Sequence, residues 1–89
     1  MSDGVAAVLR VVVADDESDV CLMLRMQLGM QAGMEVVGVA TDGAEALRLC
    51  RQLEPDAVVM DLLMPVMNGF QAIELVQEQL PGVAVVAYT

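Results

Sequence analysis

The sequence has no lysine, no histidine and no tryptophan, and only one phenylalanine and one tyrosine. Its positive charge rests on Arg10, Arg25, Arg48 and Arg51, against 13 acidic residues, for a net charge of −9. The chain lacks the cations to neutralise phosphates and the rings to stack bases, which argues against direct nucleic-acid binding. An acidic surface suits a cation or a partner with a basic patch. Long apolar runs are missing too, and Arg10 interrupts the first of the short ones, so no membrane span is expected. No basic stretch precedes an apolar run near the N-terminus, which argues against a signal peptide and makes a cytoplasmic location the default. Cysteine is sparse: Cys21 and Cys50 have no metal-binding spacing and read as small buried hydrophobes.

What is present is apolar. Hydrophobic residues make up 57% of an 89-residue chain, which is one domain at most. Continuous apolar runs of this kind suit strands buried on both faces of a parallel sheet. Residues 1–7 read as a loose lead-in, and residues 8–14 as the first strand. Ser18 is placed to cap a helix running to about Met30, with Val20, Met23, Leu24 and Leu28 near helical spacing. Residues 35–40 read as a second strand. Asp42, with Glu45 three residues on, opens a second helix in the manner of a capping box, and Ala46, Leu47, Cys50 and Leu53 form its stripe. Pro55 ends it. Residues 56–60 form a third strand. Asn68-Gly69 opens a third helix carrying Phe70, Ile73, Val76 and Leu80, which Pro81-Gly82 breaks. Residues 83–88 form a fourth strand. The order is β-α-β-α-β-α-β, which implies parallel strands and right-handed crossovers.

Strands one and three both end in acid, Asp15-Asp16 and Asp61. In a doubly wound sheet, ligands bind beyond the carboxyl ends of the strands, where strand order reverses. If strand one is central, these three carboxylates share one crevice. They repel one another unless a cation sits among them, and hard oxygen ligands suit Mg²⁺. The plainer readings stand beside this one. Asp15 to Asp19 alone reads as a solvated loop with helix-capping acids, and Asp61 alone serves equally well as a strand-end turn acid. Thr89, at the end of the fourth strand, either faces the crevice or frays. It is the joint occurrence that favours a site.

The segments Val-Val-Val-Ala-Asp15-Asp16-Glu17, Val-Met-Asp61-Leu-Leu-Met-Pro65-Val-Met-Asn68-Gly69 and Ala-Tyr-Thr89 together resemble the receiver domain of bacterial two-component response regulators. Asp42-Gly43-Ala44-Glu45-Ala46-Leu47 is similar to the start of that family's second helix. The resemblance implies a flavodoxin-like fold with strand order 2-1-3-4-5, helix one on one face and helices two and three on the other. Cys21 and Cys50 then lie on opposite faces. It implies Asp61 as phosphoacceptor, taking a phosphoryl group from a histidine kinase or phosphotransfer protein. It implies Mg²⁺ held by Asp15, Asp16, Asp61 and the backbone carbonyl of Leu63, and Thr89 as the switch hydroxyl. Pro65 is expected to stiffen the loop after the acceptor and Gly69 to relax the start of helix three. The resemblance further implies an output domain in the full-length parent, DNA-binding in many relatives.

The pattern also departs from the family. A complete receiver has a fifth strand and two further helices, and a lysine that meets the phosphoryl group; residues 8–89 are therefore expected to be a truncated, partial receiver. Such a piece leaves its fourth strand as an open apolar edge, which invites homodimerisation or strand exchange. Two rivals follow. One is a phosphorylation-independent protein-interaction module. The other is a small Mg²⁺ hydrolase, disfavoured because no lysine and no second general acid near Asp61 is present, so the chain is read as a phosphoacceptor and not an enzyme.

Overall fold

The computed structural model describes residues 8–89; the lead-in assigned to residues 1–7 lies outside them. The elements are β1 (Leu9–Ala14), α1 (Ser18–Gly29), β2 (Met34–Ala40), α2 (Gly43–Leu53), β3 (Ala57–Asp61), α3 (Gly69–Gln79) and β4 (Ala84–Tyr88). All strand pairs are parallel, in the order β2-β1-β3-β4. These are the first four positions of the flavodoxin-like order, with β1 central.

Alternation along the strands sorts side chains into two layers. Val12, Ala14, Val58 and Met60 pack with Ala46, Leu47 and Cys50 of α2 and with Ala72 and Val76 of α3. Val11 and Val13 pack with Cys21 of α1, and Leu24, Leu28, Val36, Val39 and Val59 close around them. The two cysteines are free, buried and on opposite faces, as the resemblance implied.

Four local expectations are corrected. Glu17, not Ser18, occupies the N-cap of α1, and its side chain makes no capping bond. The Asp15 side chain closes the preceding turn by accepting from Glu17 N–H at 2.8 Å, so the helix begins at Ser18. The buried stripe of α1 runs through Cys21, Leu24 and Leu28, while Met23 is half exposed. Its registration is set by Cys21, whose Sγ donates to the Asp15 carbonyl at 3.2 Å. Phe70 likewise faces solvent, and Ala72 takes the inward position on α3. Asp56 precedes β3: its carboxylate accepts from Arg10 N–H at 2.8 Å, and Asp61 becomes the last residue of the strand.

The helix starts are otherwise well signalled. Asp42 accepts from Glu45 N–H at 2.8 Å, and Glu45 reaches back to Thr41 N–H at 2.9 Å, one residue before the N-cap itself. Asn68 and Gln71 form a full capping box on α3. Arg10, the polar break in β1, donates to the Leu53 carbonyl at 2.7 Å and so satisfies the C-terminal end of α2.

Candidate functional site

Parallel registration assembles the acidic cluster. Ala14 is level with Met60, so the next residues, Asp15 and Asp61, leave the sheet side by side. Both follow the parity of Val13 and Val59 and therefore emerge on the α1 face. Asp15, Asp16 and Asp61 each offer a carboxylate oxygen, and these oxygens lie within 4.8 Å of one another. Asp15 is buried at 3% exposure, Asp61 is half buried and Asp16 is exposed. The sequence-predicted carboxylates thus meet in one crevice that opens to solvent through Asp16.

Asp15 is the most constrained of the three. Its N–H donates to the Ala40 carbonyl at 3.0 Å, and one carboxylate oxygen accepts from Glu17 N–H. The other oxygen accepts from the Tyr88 hydroxyl. Burial, the bond to Asp15 and the charges of Asp15 and Asp61 push the Tyr88 hydroxyl well above the ordinary phenol range. Burial also pushes the Cys21 thiol up, against its bond to the Asp15 carbonyl, and the Asp15 and Asp16 charges add to the rise. Sequence reasoning gave Tyr88 no role. The available signal was its place as the residue level with Asp61 on the neighbouring strand.

The loop after Asp61 is held from several sides. Leu62 N–H donates to the Tyr88 carbonyl at 2.8 Å, and Leu63 N–H to the Asp61 carboxylate at 3.1 Å. Met64 points inward and is buried in the α2–α3 layer. Gly43 N–H donates to the Met67 carbonyl at 2.8 Å. A Cβ on Gly43 would lie 1.9 Å from that carbonyl oxygen, and a Cβ on Gly69 2.4 Å from the Asp61 carbonyl oxygen. Both glycines are therefore needed for close backbone approach. This corrects the expectation that Gly69 merely relaxes the start of α3. Next to the exposed Pro65, Val66 has φ 67°, which is costly for a β-branched residue, so the surrounding contacts hold this loop in a strained shape.

Thr89 follows β4 directly and is exposed. The structure thus gathers Asp15, Asp16 and Asp61, sets Leu63 two residues past the central acid, and leaves Thr89 at the rim of the same sheet edge. Among the described residues no helix is long and apolar enough to cross a membrane.

Comparison with known proteins gives the same reading. The family model for the response regulator receiver domain matches residues 11–89. The chain is 42% identical over 81 residues to the transcriptional regulatory protein YhcZ of Bacillus subtilis, covering 91% of this chain and 38% of that protein. It superposes on the response regulator domain of Thermotoga maritima CheB with TM-score 0.83 and 38% identity, covering 90% of this chain and 60% of that one. The receiver domain of NarL from Mycobacterium tuberculosis gives TM-score 0.87 at 33% identity, with 91% and 65% covered. The chain therefore spans under two thirds of the length of each of these proteins. With the sheet order, the acidic crevice and the match over residues 11–89 in agreement, the chain belongs to the response regulator receiver domain family.

Proposed function

We propose that the receiver unit, residues 8–89, accepts a phosphoryl group on Asp61 from a phosphohistidine of a histidine kinase or phosphotransfer protein. A carboxylate oxygen of Asp61 attacks phosphorus, the phosphorus–nitrogen bond breaks, and the bond's electron pair leaves on the donor nitrogen. The product is an acyl phosphate. The observation that carries this reading is the convergence of Asp15, Asp16 and Asp61 within 4.8 Å at the carboxyl end of a parallel sheet.

The residues fit a divalent cation. Three hard oxygens converge, one from a buried and doubly hydrogen-bonded carboxylate, and the exposed side at Asp16 leaves room for water and phosphoryl oxygens. Asp15, Asp16, Asp61 and the Leu63 carbonyl are the proposed Mg²⁺ ligands. A bound Mg²⁺ neutralises charge on the transferring oxygens. Asp61 supplies the nucleophile, and its bond from Leu63 N–H holds the carboxylate in one orientation. Thr89 is the proposed switch hydroxyl, placed by β4 on the same edge. The chain acts as a signalling module and not as an enzyme, in the cytoplasm, passing its state to an output domain of the parent protein.

Intact-mass spectrometry after incubation with a small phosphodonor and Mg²⁺ tests this. One phosphoryl adduct on the folded chain, missing in Asp61→Asn, is the expected result. A folded chain that takes up no phosphoryl group supports the phosphorylation-independent interaction module instead.

A further inference from the structure

The side chain of Tyr88 crosses the acceptor strand. Tyr88 on β4 is level with Asp61 on β3, yet its hydroxyl ends on Asp15, beyond β1 on the far side of β3. Adjacent strands are about 4.8 Å apart, so the phenol spans the sheet at the height of the acceptor. It lies along the α1 face, where Asp15 and Asp61 also emerge. Its hydroxyl takes one Asp15 oxygen while Glu17 N–H takes the other, so both oxygens of this buried carboxylate are engaged.

We infer that Tyr88 is a latch on the acidic crevice, its hydroxyl competing with a divalent cation for the Asp15 carboxylate. This latch rests on the metal site proposed above. A hydroxyl hydrogen aimed at a carboxylate oxygen puts the positive end of its dipole where a cation's charge must also fall. Cation binding therefore releases the hydroxyl, and the ring leaves its path across Asp61. Leu62 N–H is bonded to the Tyr88 carbonyl, so the same residue touches the acceptor loop through its backbone and Asp15 through its side chain. Thr89 is the next residue, so metal occupancy and the position of the proposed switch hydroxyl are linked through one side chain. Tyr88 is a positioning residue here and does not touch the transferring group.

The chain offers its own probe, since Tyr88 is its single tyrosine and tryptophan is absent. Tyrosine emission and ultraviolet absorption of the full chain report this hydroxyl alone. Titration with Mg²⁺ should change both signals, with the midpoint found for metal binding by calorimetry. Asp16→Asn should move both midpoints to higher Mg²⁺ together. Tyr88→Phe, checked for native circular dichroism, should bind Mg²⁺ roughly tenfold more tightly, the scale of one hydrogen bond to a charged group. Calorimetric Mg²⁺ binding with an unmoved tyrosine signal overturns the latch and leaves the metal site standing. Unchanged or weaker Mg²⁺ binding by Tyr88→Phe does the same. No Mg²⁺ binding by either protein overturns both.

Discussion

Within residues 8–89 the two faces of the sheet are covered to different extents. On the α2–α3 face, Val12, Val58, Met60, Cys50 and Val76 are fully buried, and Arg51 of α2 bonds Gln79 of α3 across the outer surface. On the α1 face the buried set is smaller. Val86 remains 55% exposed, and Leu22 and Met26 of α1 and Met30 just after it are exposed. The acidic crevice and Tyr88 lie on this thinner side. A densely packed layer backs the strand ends, and on the other side Asp16 is exposed and Asp61 partly so, while Asp15 stays buried. Within residues 8–89 the two faces differ in how much of their apolar surface is covered, and substitutions on each face measure that difference.

The largest effect is expected at Met60→Ala. It removes a fully buried side chain from the packed face and should cost about 2–5 kcal/mol in urea unfolding. A loss below about 1 kcal/mol would mean that this face is less closely packed than described.

Next is a pH effect on the same face. Burial pushes the Cys50 thiol from 9.0 up to about 11. Its folded value is raised, so its contribution is whole below pH 9 and is lost as pH climbs from 9 to 11, by roughly 3 kcal/mol at most. Cys21 and Tyr88 are raised as well and steepen the fall in the wild-type chain. The difference between wild type and Cys50→Ala across pH 8 to 11 isolates the Cys50 share. Parallel stability curves would remove it.

A matched pair compares the faces directly. Val58→Ala, at a fully buried site, should cost about 2 kcal/mol. Val86→Ala, at a site already half exposed, should stay within about 0.5 kcal/mol. Equal losses in chemical denaturation would erase the contrast. Between these two, Asn68→Ala deletes the capping box of α3 and should cost about 1 kcal/mol, read as a shift in the unfolding midpoint.

Much of this was legible in the sequence because each feature had a local cause. Apolar runs ending in acid located β1 and β3, and Asp42, Asn68 and Pro55 punctuated the helices. The joint presence of Asp15, Asp16 and Asp61 predicted the crevice, and parallel registration delivers it. What stayed hidden depends on distant partners. The outward turn of Met23 and Phe70 follows from helix rotation against a sheet whose layers the sequence does not display. The demand for glycine at 43 and 69 comes from backbone oxygens of Met67 and Asp61, which only the folded loop brings within reach. Tyr88 looked like one more apolar strand residue until registration set it opposite Asp61.

If the three carboxylates act as one site with Asp61 as acceptor, phosphoryl uptake depends on all of them. The measurement that tests it most directly is the rate of phosphoryl uptake against Mg²⁺ concentration, for wild type, Asp16→Asn and Asp61→Asn. A single site should give saturation with Mg²⁺ in the wild type, a shift of at least roughly tenfold to higher Mg²⁺ in Asp16→Asn, and no uptake in Asp61→Asn. Uptake that ignores Mg²⁺, or that persists in Asp61→Asn, would contradict it.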